Sequence, residues 1–220
     1  MTRRCKELLK GFLYWLLVLL VCFLSKVLFR LRVHGRSMIR RGRGYIAVAR
    51  HRSYWDVLIL AAAVGWPNRV HFVARKGLFR KVPLAMPLIH IYSTVIDRDN
   101  FRLADYRRLR TAVHRERLVA IFPEGTTRRA VDPKEGAVHF ARISGKPLLP
   151  INIQPQGPYP PKYPLGFPRV TVSIGEPITV EELEDAAACD PGSDGQGKGS
   201  LSDELMARID AVNHREREEG

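Results

Sequence analysis

Cysteine is scarce in this chain: Cys5, Cys22 and Cys189 are scattered over 220 residues with no paired or metal-type spacing. That excludes a disulfide framework and suggests a reducing compartment. Acidic side chains are almost missing from the first 96 residues, where Glu7 and Asp56 stand against 18 Lys or Arg, while the remainder holds 18 basic and 20 acidic residues. The net charge of +14 therefore belongs to the N-terminal half, whose partner is anionic. A lipid surface and nucleic acid both answer to that, because phosphates attract a basic face by the same Coulomb term. There is no G-x-S-x-G elbow and no cysteine placed for attack, so covalent catalysis lacks its nucleophile. No second histidine sits at ligand spacing beside His51, Asp56 and Glu124, which argues against a metal hydrolase. Internal repeats are absent too, and no small-x-small cleavage site follows the one long apolar run, which speaks against a removed signal peptide.

That run is what the N-terminus has in abundance. Residues 12–24 are continuously apolar, with Tyr14 and Trp15 near one end, where amphipathic rings favour a membrane interface. At 1.5 Å per residue the strict run reaches about 20 Å, short of a hydrocarbon core of roughly 30 Å. Taken as one helix, residues 8–29 reach about 33 Å, enough to span if Lys10 and Lys26 snorkel to the two interfaces. Spanning and lying in one leaflet both fit. Basic residues flank the run on both sides, so charge bias sets no orientation. Residues 1–32 read as a retained membrane anchor in preference to a buried soluble helix, and the bilayer is the expected partner.

After the anchor, short apolar runs alternate with helical patterns. Residues 45–49 (YIAVA), 70–74, 93–96, 118–122, 148–153 and 170–174 read as strands. Between them, residues 55–63, a stretch near 83–92, 101–114 and 133–144 read as helices. The last is punctuated by Asp132 as N-cap, Pro133 at N1, Glu135 at N3 and Gly145 past the end. The expected fold is α/β: a single domain with a mixed, largely parallel sheet flanked by helices, plus the N-terminal anchoring helix. Residues 154–168, rich in proline, read as a surface excursion. Residues 33–188 form the expected catalytic domain, 189–200 a flexible linker, and 201–220 a C-terminal helix with Leu205, Ile209 and Val212 on one side.

Two stretches carry chemistry. In "VARHRSYWD", a strand gives way to a helix, and His51 precedes Asp56 by five residues. Positions i and i+5 lie about 140° apart on a helix, so His51 belongs to the turn and the carboxylate reaches back. Ser53 and Asp56 also have capping-box spacing, so the alternative reading of Asp56 is a helix cap. As a dyad, the carboxylate would hold one imidazole N–H and leave the other nitrogen as a base able to activate a hydroxyl. In "LVAIFPEGTTRRA", a strand opens into Glu124, Gly125, Thr126, Thr127, Arg128 and Arg129. This reads either as a polar loop or as an oxyanion cradle, in which glycine admits backbone N–H groups, threonines donate hydroxyls and arginine forks match phosphate. Lys76 and Arg98 sit near other strand ends.

Together these stretches resemble the glycerolipid acyltransferases of the 1-acylglycerol-3-phosphate acyltransferase family. "VARHRSYWD" is similar to the family's N-H-[RQ]-S-x-x-D block and "FPEGTTR" to its F-P-E-G-T-R block, while "VIDR" with Lys76 and "LLPI" resemble two weaker ones, with "VHG" before the first block and "GEPI" at the domain's end. The resemblance covers roughly residues 33–177. Arg50 stands where the family usually has Asn, Thr127 where Arg is common, and residues 78–124 contain no glycine. The resemblance implies transfer of a fatty acyl group from acyl-CoA or acyl-carrier protein to the hydroxyl of 1-acylglycerol 3-phosphate, a lysophospholipid. His51 would be the base and Asp56 its orienter. Lys76, Arg98, Glu124, Gly125, Thr126, Thr127 and Arg128 would hold the acceptor phosphate. It implies no metal, no cofactor and no nucleic acid, and a domain on the cytoplasmic face of the inner or plasma membrane. The alternatives are another lysophospholipid or glycerol 3-phosphate as acceptor, or a non-catalytic basic module that binds membranes or nucleic acid.

Overall fold

The computed structural model describes residues 3–65, 67–76, 90–97, 100–124, 135–161, 166–188 and 200–212. Among the described residues, seven strands form one sheet: β1 (Arg32–His34), β2 (Tyr45–Ala49), β3 (Val70–Arg75), β4 (Ser93–Ile96), β5 (Leu118–Ile121), β6 (Leu148–Gln156) and β7 (Arg169–Ile174), in the spatial order β1-β7-β6-β2-β5-β3-β4. All neighbours are parallel except β6 and β7, so the expected mixed, largely parallel sheet is present.

The centre of the sheet explains itself from composition. Every residue of β2 is buried, as a parallel strand covered on both faces requires. Tyr45, Ala47 and Ala49 point into one core with Ile59, Leu60, Ala63 and Val64 of helix α2 (Trp55–Val64) and Phe29 of helix α1 (Arg3–Phe29). Ile46 and Val48 point into the other, which is built by α3 (Leu103–Arg115), α4 (Gly136–Ser144), α5 (Val180–Ala188) and α6 (Leu201–Ala211). The period of two along the strand thus divides the molecule into two layers about one sheet. Each fully buried Ile or Leu in either layer contributes about 1.5–3 kcal/mol.

Helix α2 is held at both ends, which matters because it carries Asp56. Arg36 donates from Nε to the Ala63 carbonyl at 2.7 Å and from Nη2 to the Ala62 carbonyl at 2.8 Å, and Asn68 donates to the Val64 carbonyl at 3.0 Å. These donors satisfy carbonyls that a helix C-terminus leaves open, and the arginine charge suits that end of the dipole. At the other end Trp55 meets Phe29 edge-on with ring centroids 5.1 Å apart, and Phe29 meets Phe167 at the same separation. Gly35, in the "VHG" run, has φ 75°, and a Cβ there would lie 2.0 Å from the Ile174 carbonyl oxygen. Only glycine admits that approach of the β1–β2 connection to β7.

Several elements depart from the sequence reading. Strand β1, with the unpatterned sequence RVH, exists because β7 offers it an edge. Helix α5 was not expected, although Thr179 and Glu182 form a capping box (Glu182 N–H to Thr179 Oγ1, 3.2 Å; Thr179 N–H to Glu182 Oε2, 2.8 Å). In α4, Glu135 is the N-cap, not N3, and Gly145 ends the helix with φ 65°; Asp132 and Pro133 lie outside the described residues. Of the stretch near 83–92, only residues 90–92 are described, and they are helical. Strand β6 runs to Gln156, into the proline-rich segment. Its pairing with β2 stops at Ile151 while that with β7 continues, so the missing donor of Pro155 falls where one side of the strand is open. The proposed linker lies outside the description except for Ser200, which caps α6. Helix α6 docks by Leu205, Met206 and Ile209, all buried.

Helix α1 packs on α2, with Val21, Ser25 and Phe29 buried at four-residue intervals. Phe12, Leu16, Leu20, Phe23 and Val27 are exposed, so its outer side is apolar. Among the described residues, no helix is long and apolar enough to cross a membrane.

Candidate active site

In an open parallel sheet, ligands meet the protein at the carboxyl ends of the strands, where the order of connections reverses. That point here is β2, which has β6 on one side and β5 on the other. The chain leaves β2 through Arg50 to Tyr54 and enters α2, and leaves β5 through Phe122 to Glu124. The two exits meet at His51.

Asp56 is almost inaccessible, with a relative exposure of 1%, and both of its oxygens are engaged. Its Oδ2 takes the backbone N–H of Arg52 at 2.6 Å and of Ser53 at 2.7 Å, and lies 3.3 Å from His51 Nδ1. Its Oδ1 accepts from the Tyr159 hydroxyl. The first turn of a helix favours an anion, and a buried carboxylate is tolerated only with such a full set of donors. The two readings of the Ser53–Asp56 spacing are thereby joined: one carboxylate ties down the turn and reaches the histidine. Ser53 Oγ accepts from Trp55 N–H at 3.3 Å and not from residue 56, so only half of the capping box forms.

His51 is half-buried. Its ring stacks on Phe122 with centroids 4.4 Å apart and planes inclined by 25°. Its backbone N–H donates to Glu124 Oε2 at 3.0 Å. Asp56 thus takes the ring from one side while Phe122 fixes its plane and Glu124 fixes its backbone. With Nδ1–H directed to Asp56, the lone pair resides on Nε2, the tautomer that a base needs. Tyr159 sits behind this pair. Burial foremost, and the neighbouring Asp56 carboxylate, push its hydroxyl above the ordinary tyrosine value, so it stays protonated and donates.

Glu124 Oε1 accepts from Arg50 Nη1 at 2.9 Å, so both oxygens of that carboxylate are engaged by the β2 exit. Arg50, which the motif reading left without a role, also forks onto Asp210 of α6 through Nε (2.8 Å to Oδ1) and Nη2 (2.5 Å to Oδ2). Asp210 foremost, then Glu124, hold the guanidinium even more firmly protonated than usual.

Lys76 follows β3 at the same end of the sheet, two strands from His51. It is 73% exposed and lies 3.7 Å from Asp97 Oδ2. Arg98, Gly125, Thr126, Thr127 and Arg128, together with Arg129, lie outside the described residues. Sequence reasoning missed Tyr159 and Asp210, which are 103 and 160 residues from their partners and belong to no motif. It had the signal for Arg50, as a departure from the family pattern.

A buried carboxylate beside a histidine at the carboxyl end of a parallel strand is an arrangement that general-base chemistry uses, set here in an α/β fold. The sequence model of the family described as Acyltransferase matches residues 30–154, and the chain belongs to that family. It is 28% identical over 148 residues to the 1-acyl-sn-glycerol-3-phosphate acyltransferase of Bacillus subtilis, a match covering 67% of this chain and 73% of that one. The Streptococcus pneumoniae protein of the same name is 28% identical over 141 residues, 64% of this chain and 52% of its own. In structure, the chain is similar to the 1-acyl-sn-glycerophosphate (LPA) acyltransferase PlsC of Thermotoga maritima, with a TM-score of 0.63 at 20% identity, covering 90% of this chain and 79% of that one. At that identity the likeness concerns the fold.

Proposed function

We propose that this protein transfers a fatty acyl group from a thioester, acyl-CoA or acyl-carrier protein, to the free hydroxyl of 1-acylglycerol 3-phosphate, giving phosphatidic acid at a membrane surface. The observation that carries the reading is the His51–Asp56 pair, 3.3 Å apart and locked by backbone donors. The Nε2 lone pair takes the hydroxyl proton as the oxygen attacks the thioester carbonyl. The tetrahedral intermediate collapses with cleavage of the C–S bond, and the imidazolium returns its proton to the leaving thiolate. The products are an ester and a free thiol. No side chain is acylated, in keeping with the absence of a nucleophile elbow. Asp56 keeps the tautomer and stabilises the imidazolium while it lasts.

The names of the relatives support the acceptor, and so does the basic N-terminal half, which suits a phosphate headgroup. Lys76, Arg98 and the loop at 125–128 are assigned to that phosphate. Glu124, engaged on both oxygens by Arg50 and His51, shapes the turn in this scheme. The exposed apolar side of α1 lies in one leaflet, next to a site whose lysolipid substrate and product both reside in the bilayer, and the catalytic domain faces the cytoplasm.

The test offers the purified chain, in detergent, a panel of 1-acylglycerol 3-phosphate, other lysophospholipids and glycerol 3-phosphate, each with both donor types, and follows thiol release and product. Preference for 1-acylglycerol 3-phosphate is expected. His51→Ala should lower kcat about 10³–10⁴-fold with Tm unchanged. Undiminished turnover would sink the dyad, and a preference for glycerol 3-phosphate would overturn the acceptor.

A further inference from the structure

Arg50 is the residue whose surroundings the reaction scheme leaves unused. Its guanidinium faces two carboxylates from distant parts of the chain: Glu124 beyond β5 and Asp210 near the end of α6. The Asp210 pair is bidentate, at 2.8 and 2.5 Å, and the Glu124 pair is 2.9 Å. The side-chain exposures are 29% for Arg50, 17% for Glu124 and 49% for Asp210. An isolated exposed ion pair contributes little, but a planar fork shared by two acids is a network whose geometry is restricted by the guanidinium itself.

The network has a direction. Helix α6 is anchored independently of it, by Leu205, Met206 and Ile209 in the core and by Asn152, which donates to the Asp210 carbonyl at 3.3 Å. From that anchor Asp210 holds Arg50, Arg50 holds Glu124 Oε1, and Glu124 Oε2 receives the His51 backbone N–H. The ring of His51 is located by Asp56 and Phe122; its backbone is located by this chain of contacts. Residues 201–211 lie beyond the segment that matches the family.

We propose that Arg50 is a positioning residue for acyl transfer and that, through Asp210, the C-terminal helix α6 is a working part of the active site. The inference rests on the proposed reaction at His51. A misplacement of His51 of the order of an ångström is enough to cost a large factor in rate, and it acts on the chemical step more than on substrate binding.

The experiment uses the full chain in the thiol-release assay, with Tm measured on every variant. Arg50→Ala should lower kcat by about 10–100-fold while KM for acceptor and donor changes less than about threefold. Methylguanidinium added to this variant should restore part of kcat, and Arg50→Lys should restore part as well, because an ammonium reaches one carboxylate but lacks the fork. Asp210→Asn should lower kcat about three- to fivefold, and in the Arg50→Ala background it should do nothing further, since contacting residues in one network do not add. The inference is overturned if Arg50→Ala keeps wild-type kcat, if its loss follows Tm and guanidinium restores nothing, or if the two substitutions multiply. Failure of the reaction itself is distinguishable, because it removes turnover from the unsubstituted chain. An acceptor other than 1-acylglycerol 3-phosphate leaves the arginine test intact on that acceptor.

Discussion

The centre and the flank of the sheet are built on opposite plans. At the ends of β2 and β5, Asp56, Glu124 and His51 are partnered and largely withdrawn from water: Asp56 takes four donors, Glu124 two, and His51 is gripped by ring and backbone. At the ends of β3 and β4, Lys76 and Asp97 face each other across 3.7 Å with the lysine largely in water. Electrostatic preorganisation is useful where charge develops during reaction, because donors already in place need not reorganise. A cation whose task is to receive a phosphate works from the surface, where its own solvation costs little and the ligand supplies the order. In the proposed scheme the centre is the place for rate and the flank the place for affinity, and substitutions should separate the two.

The sharpest separation comes from Asp56→Asn. The amide keeps the shape but must point an NH₂ at the Arg52 and Ser53 amides or at Tyr159, and it no longer selects the His51 tautomer. A fall in kcat of about 10³–10⁴-fold is expected, along with a loss of about 2–3 kcal/mol in urea unfolding, since charge-assisted bonds to a buried group are lost. Unchanged kcat would show that Asp56 only caps the helix. Tyr159→Phe is milder. It removes one donor to Oδ1 while the backbone donors to Oδ2 remain, so kcat should fall about three- to tenfold with both KM values steady; a change in acceptor KM alone would move Tyr159 into the binding site. On the flank, Lys76→Ala should reverse the pattern, raising acceptor KM about three- to tenfold with kcat within about twofold of wild type. An equal fall in kcat would erase the contrast.

The difference between the two regions also explains what the amino-acid pattern revealed. The central strands were legible because a parallel strand buried on both faces must be apolar along its whole length, and YIAVA and LVAI have no other use. His51 and Asp56 were legible because both lie within one strand-turn-helix unit, where five residues set their separation. Tyr159 was hidden because its hydrogen bond depends on how the proline-rich segment folds back across the sheet, which no periodicity records. Asp210 was hidden in an ordinary amphipathic helix that would have the same pattern whether it docked or not. Strand β1 follows from the edge of β7 rather than from RVH itself. The T-x-x-E box before α5, by contrast, was plainly there to read.

The smallest effect expected on the flank concerns stability rather than turnover. His71 of β3 is half-buried beside Thr94 of β4, with its Nε2 2.9 Å from Oγ1. Burial, foremost, lowers its affinity for a proton below the ordinary value of 6.5; Glu116 opposes this, and Arg115 and Arg69 add to it. The unfolded chain therefore binds the proton more readily than the folded one, and stability rises with pH through this window. The contribution is fully present above 6.5 and is lost as the pH falls below it. In urea unfolding, the midpoint should drop over that acid range in the unsubstituted chain, and His71→Gln, which keeps a partner for Thr94 without a titrating group, should flatten that part of the curve. If the slope survives in His71→Gln, the acid sensitivity belongs to another group. If kcat at one fixed pH above 6.5 differs between His71→Gln and the unsubstituted chain, the flank is coupled to the centre more tightly than two differently built regions should be.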